Sequence, residues 1–497
     1  MKLASLVLFC AALQAQSPNG VWQGLRSVAP DRTEPITFRF KLEAGRLQGS
    51  VRTSYGEVPL EEPGWSGNEF RFLSHQTFGE YKVEDVYTGT INGEELSFTA
   101  VRNGRQRRSG TAKRTSTDPE PYARTVPRTT PPSMALEPNG LALTPPMGWN
   151  SWNRFQTKID GRTVREIADA LVATGLRDAG YVYVVIDDGW QGQRDDKGVL
   201  QPNEKFPSMK ELVDYVHSRG LKFGIYSSPG PKSCAGFEGS WAHEEMDART
   251  WASWGVDYLK YDWCSGGLVW DLPRMGDAYR KMSLALRATG RPIIHSVCQY
   301  GLFNVQEWAA AAGGNLWRTT GDIGNSWGSV AAIGFNQKDL DKYAGPGRWN
   351  DPDMLEIGNG GLNAAEERSH MTLWAMLAAP LMLGNDIRQM TPETLAVLSN
   401  REVIAVDQDP LGKQGYRLRQ DGDGEVWVKP LARGEWAVAL FNRGRSAVSV
   451  RVDWQEMGLK SVPSVRDLWK AQDLGRVSGG ISEKLESHAC ALYRLRP

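Results

Sequence analysis

The strongest constraint on the fold is an alternation of short apolar runs and helix-length segments between residue 145 and about residue 400. Each run is strand-like, and each is followed by an amphipathic segment with helical spacing. The eight runs are PMGWNSW, YVYVVIDD, LKFGIYSS, VDYLKYDW, PIIHSVCQ, NLWRTTGD, RWNDPDM and APLMLGND. Several helix candidates end in a glycine just before the next strand, as a helix C-cap does, at Gly180, Gly220, Gly255 and Gly290.

Eight βα units in about 250 residues predict a (β/α)8 TIM barrel. A doubly wound open sheet is the alternative. That fold usually has five or six strands and often carries a glycine-rich phosphate-binding loop, and no such loop occurs in this sequence.

The segments on either side of the barrel have strand periodicity. The expected organisation is therefore multidomain, α/β plus all-β. Residues 16–114 alternate apolar and polar side chains and contain an Asn92-Gly93 turn, which predicts a small antiparallel sheet or barrel. Residues 115–138 are rich in Pro, Thr and Ser and are interpreted as a linker. The barrel is assigned to 139–412, and short β runs in 413–497 predict a C-terminal antiparallel β-sandwich.

The N-terminus has the pattern of an export signal. Lys2 precedes an apolar run from Leu3 to Leu13, and cleavage after Ala15 is expected, so residues 1–15 are interpreted as a signal peptide. This predicts a secreted or periplasmic protein. No other run approaches the roughly 20 apolar residues of a membrane span. The four cysteines after residue 15 allow at most two disulfides, with three possible pairings.

The charge balance argues against one class of partner. Lys plus Arg and Asp plus Glu both total 58, so the formal net charge is zero. Dedicated nucleic-acid-binding proteins usually carry a basic excess, and no nucleic-acid partner is predicted.

Acidic and aromatic side chains follow seven of the eight predicted strands. Active residues of such barrels lie at the C-terminal ends of strands, so these side chains should converge on one mouth. A single Asp after a strand is most often a helix cap or a turn residue, but that explanation weakens when so many acids and aromatics share one face. The ends carry Trp149, Trp152, Asp187, Asp188, Trp190, Tyr226, Lys260, Asp262, Cys264, Cys298, Gln299, Tyr300, Arg318, Asp322, Asp351 and Asp353.

Several carboxylates beside aromatic rings are typical of glycoside hydrolysis, in which one acid attacks or activates water, a second protonates the leaving oxygen, and rings pack on the sugar. Metal-dependent hydrolysis is the rival chemistry, with Asp187-Asp188 and the Asp351-Pro-Asp353 segment as possible ligands of a hard cation. The six histidines form no zinc-binding cluster, and no G-x-S-x-G elbow is present. A non-catalytic carbohydrate-binding protein is a further alternative.

The motifs match a known family. PPMGWNSW, IDDGW, GIYSSPG, CAGFEGSW, WGVDYLKYDWC, LWRTTGDI, WNDPDML, APLMLGNDIR and AVDQDPLGKQG together resemble the retaining α-galactosidases of glycoside hydrolase family 27. The resemblance runs from about residue 145 to 415 and implies a (β/α)8 barrel followed by a β-sandwich. The first 130 residues lie outside it.

The resemblance also implies roles for individual residues. Asp262 matches the nucleophile and Asp322 the general acid/base. Asp187 and Asp188 match the pair that binds the 4- and 6-hydroxyls of galactose. Further sugar contacts are implied for Trp152, Tyr226, Lys260 and Arg318, and a disulfide beside the site for Cys234 and Cys264.

The stretch after the fifth strand departs from the family. Animal members carry Glu after the strand-five cysteine and plant members Glu-Trp, whereas this chain has Gln299-Tyr300. Gln299 is expected on the 2-substituent side of the sugar, where it can still hydrogen-bond a hydroxyl. The expected activity is hydrolysis of terminal α-linked galactose from oligo- or polysaccharides, without metal or cofactor. α-N-acetylgalactosaminides, β-L-arabinopyranosides and isomalto-linkages are the alternative substrates.

Overall fold

The structure is a computed structural model that describes residues 17–29, 32–53, 56–78, 81–102, 104, 106–117, 135–270 and 274–497. The expected signal peptide and residues 118–134 of the expected linker lie outside the described residues. Among the described residues, no helix is long and apolar enough to cross a membrane.

The N-terminal unit is one antiparallel sheet of nine strands in the order β4-β3-β2-β1-β9-β8-β7-β6-β5. Leu60 alone separates β4 from β5, although these strands lie at opposite ends of that order, so the sheet must curl round on itself. Its inner face is aromatic, with Trp22, Phe38, Phe72 and Tyr87 in one buried cluster. The strands are β1 Gly20–Ala29, β2 Arg32–Glu43, β3 Arg46–Thr53, β4 Gly56–Pro59, β5 Glu61–Ser66, β6 Glu69–Phe78, β7 Tyr81–Asn92, β8 Glu95–Arg102 and β9 Gln106–Ser116.

The second unit begins with the predicted barrel, and the structure confirms it. Eight parallel strands follow the order β18-β17-β16-β15-β14-β11-β10-β19, and a bridge between Leu355 and Leu383 joins the last strand to the segment after β18. β12 and β13 form a hairpin in the loop after β11. The strands are β10 Met147–Asn150, β11 Tyr183–Val185, β12 Gln191–Arg194, β13 Leu200–Pro202, β14 Lys222–Ser227, β15 Tyr258–Asp262, β16 Ile294–Cys298, β17 Leu316–Arg318, β18 Trp349–Asp351 and β19 Leu381–Leu383.

Helices follow the barrel strands where the amphipathic segments predicted them. Their ends obey local capping rules: Asp160 accepts the Thr163 N–H at the start of α2, and Gly255, at φ 97°, ends α5. The helices are α1 Trp152–Phe155, α2 Gly161–Ala173, α3 Leu176–Ala179, α4 Met209–Ser218, α5 Glu244–Trp254, α6 Met275–Ala288, α7 Val305–Trp308, α8 Trp327–Gly334, α9 Ala364–Leu377, α10 Pro392–Leu398 and α11 Arg401–Asp407. Short 3-10 helices span Gln156–Lys158, Gly266–Leu268, Phe335–Gln337, Ile387–Gln389 and Ala432–Gly434.

The C-terminal β-sandwich is also confirmed. A six-stranded sheet in the order β20-β21-β22-β27-β24-β25 faces the pair β23-β26 across a core of valines and leucines. The other face of the larger sheet packs on the barrel, where Phe441 lies 5.3 Å from the ring of Phe335. The strands are β20 Tyr416–Asp421, β21 Gly424–Pro430, β22 Trp436–Asn442, β23 Val448–Asp453, β24 Ser464–Asp467, β25 Gln472–Arg476, β26 Gly480–Leu485 and β27 Cys490–Arg496.

Candidate active site

The candidate site lies at the C-terminal ends of the barrel strands. Lys260 and Asp262 are two residues apart on β15, so both side chains lie on the same face of that strand, where Lys260 reaches Asp187. The neighbouring strands end at the same level, because Tyr226 pairs with Lys260 and Asp262 pairs with Cys298 in the parallel register. Side chains from several strands therefore meet at one mouth.

A buried ion pair joins the second and fourth strands of the barrel in chain order. The Lys260 Nζ lies 2.7 Å from Asp187 Oδ2, which also accepts a hydrogen bond of 2.8 Å from Asn150 Nδ2. The other oxygen of Asp187 accepts the Asp188 N–H at 2.9 Å. The Asp187 N–H in turn donates to Ser151 Oγ. These contacts fix the carboxylate in one orientation and link both strand ends.

Asp188 is buried with one oxygen in use and one to spare. Its Oδ2 accepts the Ala235 N–H at 2.7 Å, whereas Oδ1 is buried with no hydrogen-bond partner among the described residues. Burial raises the pKa of Asp188 to about 7, and the charges of Asp187 and Asp262 add to that rise. The spare oxygen is an acceptor that a ligand hydroxyl could satisfy.

Asp262 has a similar arrangement. Tyr226 donates its hydroxyl to Asp262 Oδ2 at 3.3 Å, and the buried Oδ1 has no partner in the part of the chain that the structure describes. Burial raises the pKa of Asp262 to about 6. The charge of Lys260 and a hydrogen bond from Tyr300 lower this pKa, whereas the charge of Asp322 raises it further. Burial would lower the pKa of Lys260, but Asp187 and other carboxylates hold it well above its ordinary value.

A disulfide borders Asp262. Cys234 and Cys264 are bonded as the family resemblance implied, with Cα atoms 4.8 Å apart. The Tyr226 hydroxyl lies 3.3 Å from Cys264 Sγ, and the Tyr300 hydroxyl lies 3.3 Å from Cys234 Sγ. The two sulfurs and a carboxylate oxygen of Asp262 lie within 4.8 Å of one another, but bonded sulfurs offer no thiolate to a metal.

Arg318 connects two further acids. Its Nη2 lies 3.1 Å from Asp322 Oδ1 and 3.0 Å from Asp353 Oδ2. The Arg318 and Asp353 side chains are buried, whereas the Asp322 side chain is 59% exposed. Asp322 therefore faces the solvent side of the mouth, and Asp262 lies within it.

Two expected contact residues are placed differently from the acids. Trp152 is partly buried and packs against an apolar cluster that includes Tyr183 and Met382. Gln299 is fully buried; its amide group donates to the Arg318 carbonyl at 3.3 Å and accepts the Leu302 N–H. In this conformation the amide of Gln299 is bound to backbone, and its contact with a sugar stays a prediction.

The structure gives specific contacts at this site to three residues that were not expected to be catalytic or to touch the sugar. They are Asn150, which binds Asp187; Tyr300, which borders Asp262; and Asp353, which binds Arg318. The strand-end rule had already placed Tyr300 and Asp353 at the mouth, and the same rule could have found Asn150, which is the last residue of β10.

A barrel of eight parallel strands with acids gathered at its C-terminal mouth has the fold and the kind of site of a glycoside hydrolase. The family model described as Alpha galactosidase A matches residues 144–409, and the α-galactosidase C-terminal β-sandwich domain matches residues 421–495. The chain therefore belongs to the α-galactosidases of glycoside hydrolase family 27.

Individual relatives agree with this assignment. The α-galactosidase of Cyamopsis tetragonoloba is 49% identical over 368 residues, which is 73% of this chain and 88% of that protein. The crystal structure of α-galactosidase I from Mortierella vinacea matches with a TM-score of 0.68 at 37% identity, covering 72% of this chain and 98% of that one. A family 27 β-L-arabinopyranosidase from Geobacillus stearothermophilus has a TM-score of 0.65 at 27% identity, covering 72% and 97%.

Proposed function

We propose that this chain is an exported, retaining exo-α-galactosidase that removes terminal α-linked galactose from oligo- or polysaccharides. The observation that carries the proposal is the contrast between two acids at one mouth. Asp262 is buried, and none of the described residues hydrogen-bonds its Oδ1, whereas Asp322 is exposed and bound to Arg318. A nucleophile needs a carboxylate oxygen that is free to attack, and an acid/base that exchanges protons with a leaving group and with water needs access to solvent.

In the proposed reaction, Asp262 attacks the anomeric carbon while Asp322 protonates the departing oxygen. A galactosyl-enzyme forms, and Asp322, now a base, activates water that releases galactose with retained configuration. This double displacement predicts carboxyl groups about 5–5.5 Å apart. The reaction uses no metal or cofactor.

We assign galactose recognition to the buried acids. Asp187, fixed by Lys260 and Asn150, and Asp188, with its spare Oδ1, would accept hydrogen bonds from the 4- and 6-hydroxyls. An axial 4-hydroxyl distinguishes galactose from glucose, so this pair would set the preference. The remaining proposed sugar contacts are Trp152, Tyr226, Arg318, Gln299 and the disulfide of Cys234 and Cys264.

Stereochemistry tests the mechanism. We expect the proton NMR spectrum of a 4-nitrophenyl α-galactoside digest to show α-galactose first, with the β-anomer appearing only by mutarotation. Asp262→Asn should abolish turnover, whereas the matched control Asp421→Asn, at an 88% exposed side chain of the sandwich, should retain it. Release of β-galactose first would exclude double displacement, and an active Asp262→Asn enzyme would exclude that nucleophile.

Related substrates test the sugar assignment. α-N-acetylgalactosaminide, β-L-arabinopyranoside and isomalto-linked substrates are run beside the α-galactoside, because a structural neighbour of this chain is a β-L-arabinopyranosidase. Cleavage of one of these alone would keep the chemistry and change the substrate. Sugar binding without any cleavage would support the alternative of a non-catalytic carbohydrate-binding protein.

Export and domain limits belong to the same proposal. The apolar N-terminus supports a signal peptide at 1–15, and the Cys234–Cys264 disulfide is consistent with an oxidising compartment. We propose domains at 16–114, 139–412 and 413–497 with a linker at 115–138. N-terminal sequencing of protein from periplasm or medium should begin at Gln16, and limited proteolysis should cut within the linker.

A further inference from the structure

We propose that Asp353 is a positioning residue for Asp322: it holds both the guanidinium that Asp322 binds and the peptide that follows Asp322. The proposal rests on the acid/base role proposed above for Asp322. Asp353 comes from the segment after β18, and Asp322 from the loop after β17.

The first link is the shared cation. One nitrogen of Arg318, Nη2, lies 3.0 Å from Asp353 Oδ2 and 3.1 Å from Asp322 Oδ1. The Arg318 and Asp353 side chains are only 3% and 5% exposed, whereas Asp322 reaches solvent. Water therefore screens the pair with Asp353 much less than the pair with Asp322.

The second link is direct. The same oxygen of Asp353, Oδ2, accepts the N–H of Ile323 at 2.8 Å, and Ile323 is the residue next to Asp322. The carboxylate of Asp353 thus binds both the cation that contacts the Asp322 side chain and the backbone N–H of the residue that follows Asp322. A mere counterion of Arg318 would not need the contact with Ile323.

The backbone of Asp353 is held in an unusual conformation. Its φ is 84°, in the left-handed region that favours glycine. The Asp353 N–H donates to Asp351 Oδ1 at 2.9 Å, and its carbonyl accepts Trp374 Nε1 at 2.7 Å. Strain of this kind persists only where the surroundings over-determine it, and it clusters at functional sites.

The chemical consequence follows from charge. A cation 3.1 Å from Asp322 favours its carboxylate form, yet the first step of the proposed reaction needs Asp322 as an acid. The negative charge of Asp353 opposes that of Arg318 beside the carboxyl group that must act as the acid. The other ionisable groups that act on this cluster, from β15, β16 and the end of β18, are Lys260, Asp262, Cys298 and Asp351.

The test compares Asp353→Asn with the wild-type enzyme and with Asp421→Asn. Without the charge of Asp353, the charge of Arg318 beside Asp322 is less compensated, so the basic limb of the kcat/KM profile should move about one pH unit to lower pH. The loss should be large for 4-nitrophenyl α-galactoside and small for 2,4-dinitrophenyl α-galactoside, whose leaving group needs no proton. Asp353→Glu, which keeps the charge, should restore most of the basic limb.

Three outcomes separate the possibilities. An unmoved basic limb, with equal losses on both substrates, would overturn the proposal and leave Asp353 a structural residue. If Asp322→Asn itself shows no dependence on the leaving group, the acid/base assignment fails instead. Should Asp353→Asn not fold, Asp353→Gly suits the φ of 84° and removes the same carboxylate, and it must show the same shift.

Discussion

The acid limb of activity should report the ionisation of Asp262. This carboxylate must be charged to attack, and burial raises its pKa to about 6. Below that pH the group is protonated and inactive, so kcat/KM should reach half its plateau near pH 6 and about one-tenth of it one unit lower. Lys260 and Tyr300 both lower the pKa of Asp262, which makes Tyr300 a group whose removal has a defined sign.

The perturbation is Tyr300→Phe, which removes the hydroxyl and keeps the ring. A hydrogen bond to a charged group contributes about 1.5–3 kcal/mol, and one pKa unit corresponds to about 1.36 kcal/mol. The loss should therefore raise the pKa of Asp262 by about 1–2 units and move the acid limb to about pH 7–8. Tyr226, 3.3 Å from Asp262 Oδ2, remains as the other donor and keeps the carboxylate oriented.

Initial rates on 4-nitrophenyl α-galactoside between about pH 4 and pH 9 give the profile, after stopping each sample in carbonate. Tyr343→Phe is the matched control. Tyr343 lies in the loop before β18, away from the mouth, and its hydroxyl donates a hydrogen bond of 3.5 Å to Glu307. A Tyr300→Phe enzyme with a lower plateau but an unchanged acid limb would refute the reasoning, and so would a shift to lower pH.

Three further outcomes are expected. Lys260→Met leaves the buried carboxylate of Asp187 without its cation and should lower the free energy of unfolding by about 3–5 kcal/mol, measured with urea. Replacing Cys234 and Cys264 by serine opens a loop with a sequence separation of 30 and should cost about 3–4 kcal/mol in the same assay. Deleting residues 17–133 should leave kcat/KM for a small α-galactoside within about twofold, because the site lies wholly beyond them; a parallel assay on galactomannan then isolates any role of the N-terminal unit in polymer binding.

The barrel could be predicted because its strands are buried on both faces. Such strands appear in sequence as short continuous apolar runs, and all eight of those runs contain a strand in the structure. The strand-end rule then placed Lys260, Asp262 and Arg318 together, because period-two alternation fixes the direction of a side chain while the chain is still a strand.

The direction of a side chain could not be predicted beyond the end of a strand, because the period-two alternation of side chains stops there. β16 ends at Cys298, Gln299 turns its amide to the backbone, and Tyr300 adopts a φ of 64° that brings its hydroxyl to the disulfide. Asp353 is a second case, because it follows the end of β18 and its φ of 84° is not a strand conformation. The sequence around these residues names the side chains but does not set the backbone turn that aims them.

The electrostatics of the mouth explain why its cations cannot be separated from its acids. Burial raises the pKa of Asp188 to about 7 and those of Asp262 and Asp351 to about 6, so each carboxylate is close to losing its charge. Lys260 opposes that tendency at Asp262 and Asp351, and Arg318 opposes it at Asp351. Each cation is held in turn by carboxylates. The site is therefore a balanced set of charges, and removing any one member should change the ionisation of the others as well as its own contact.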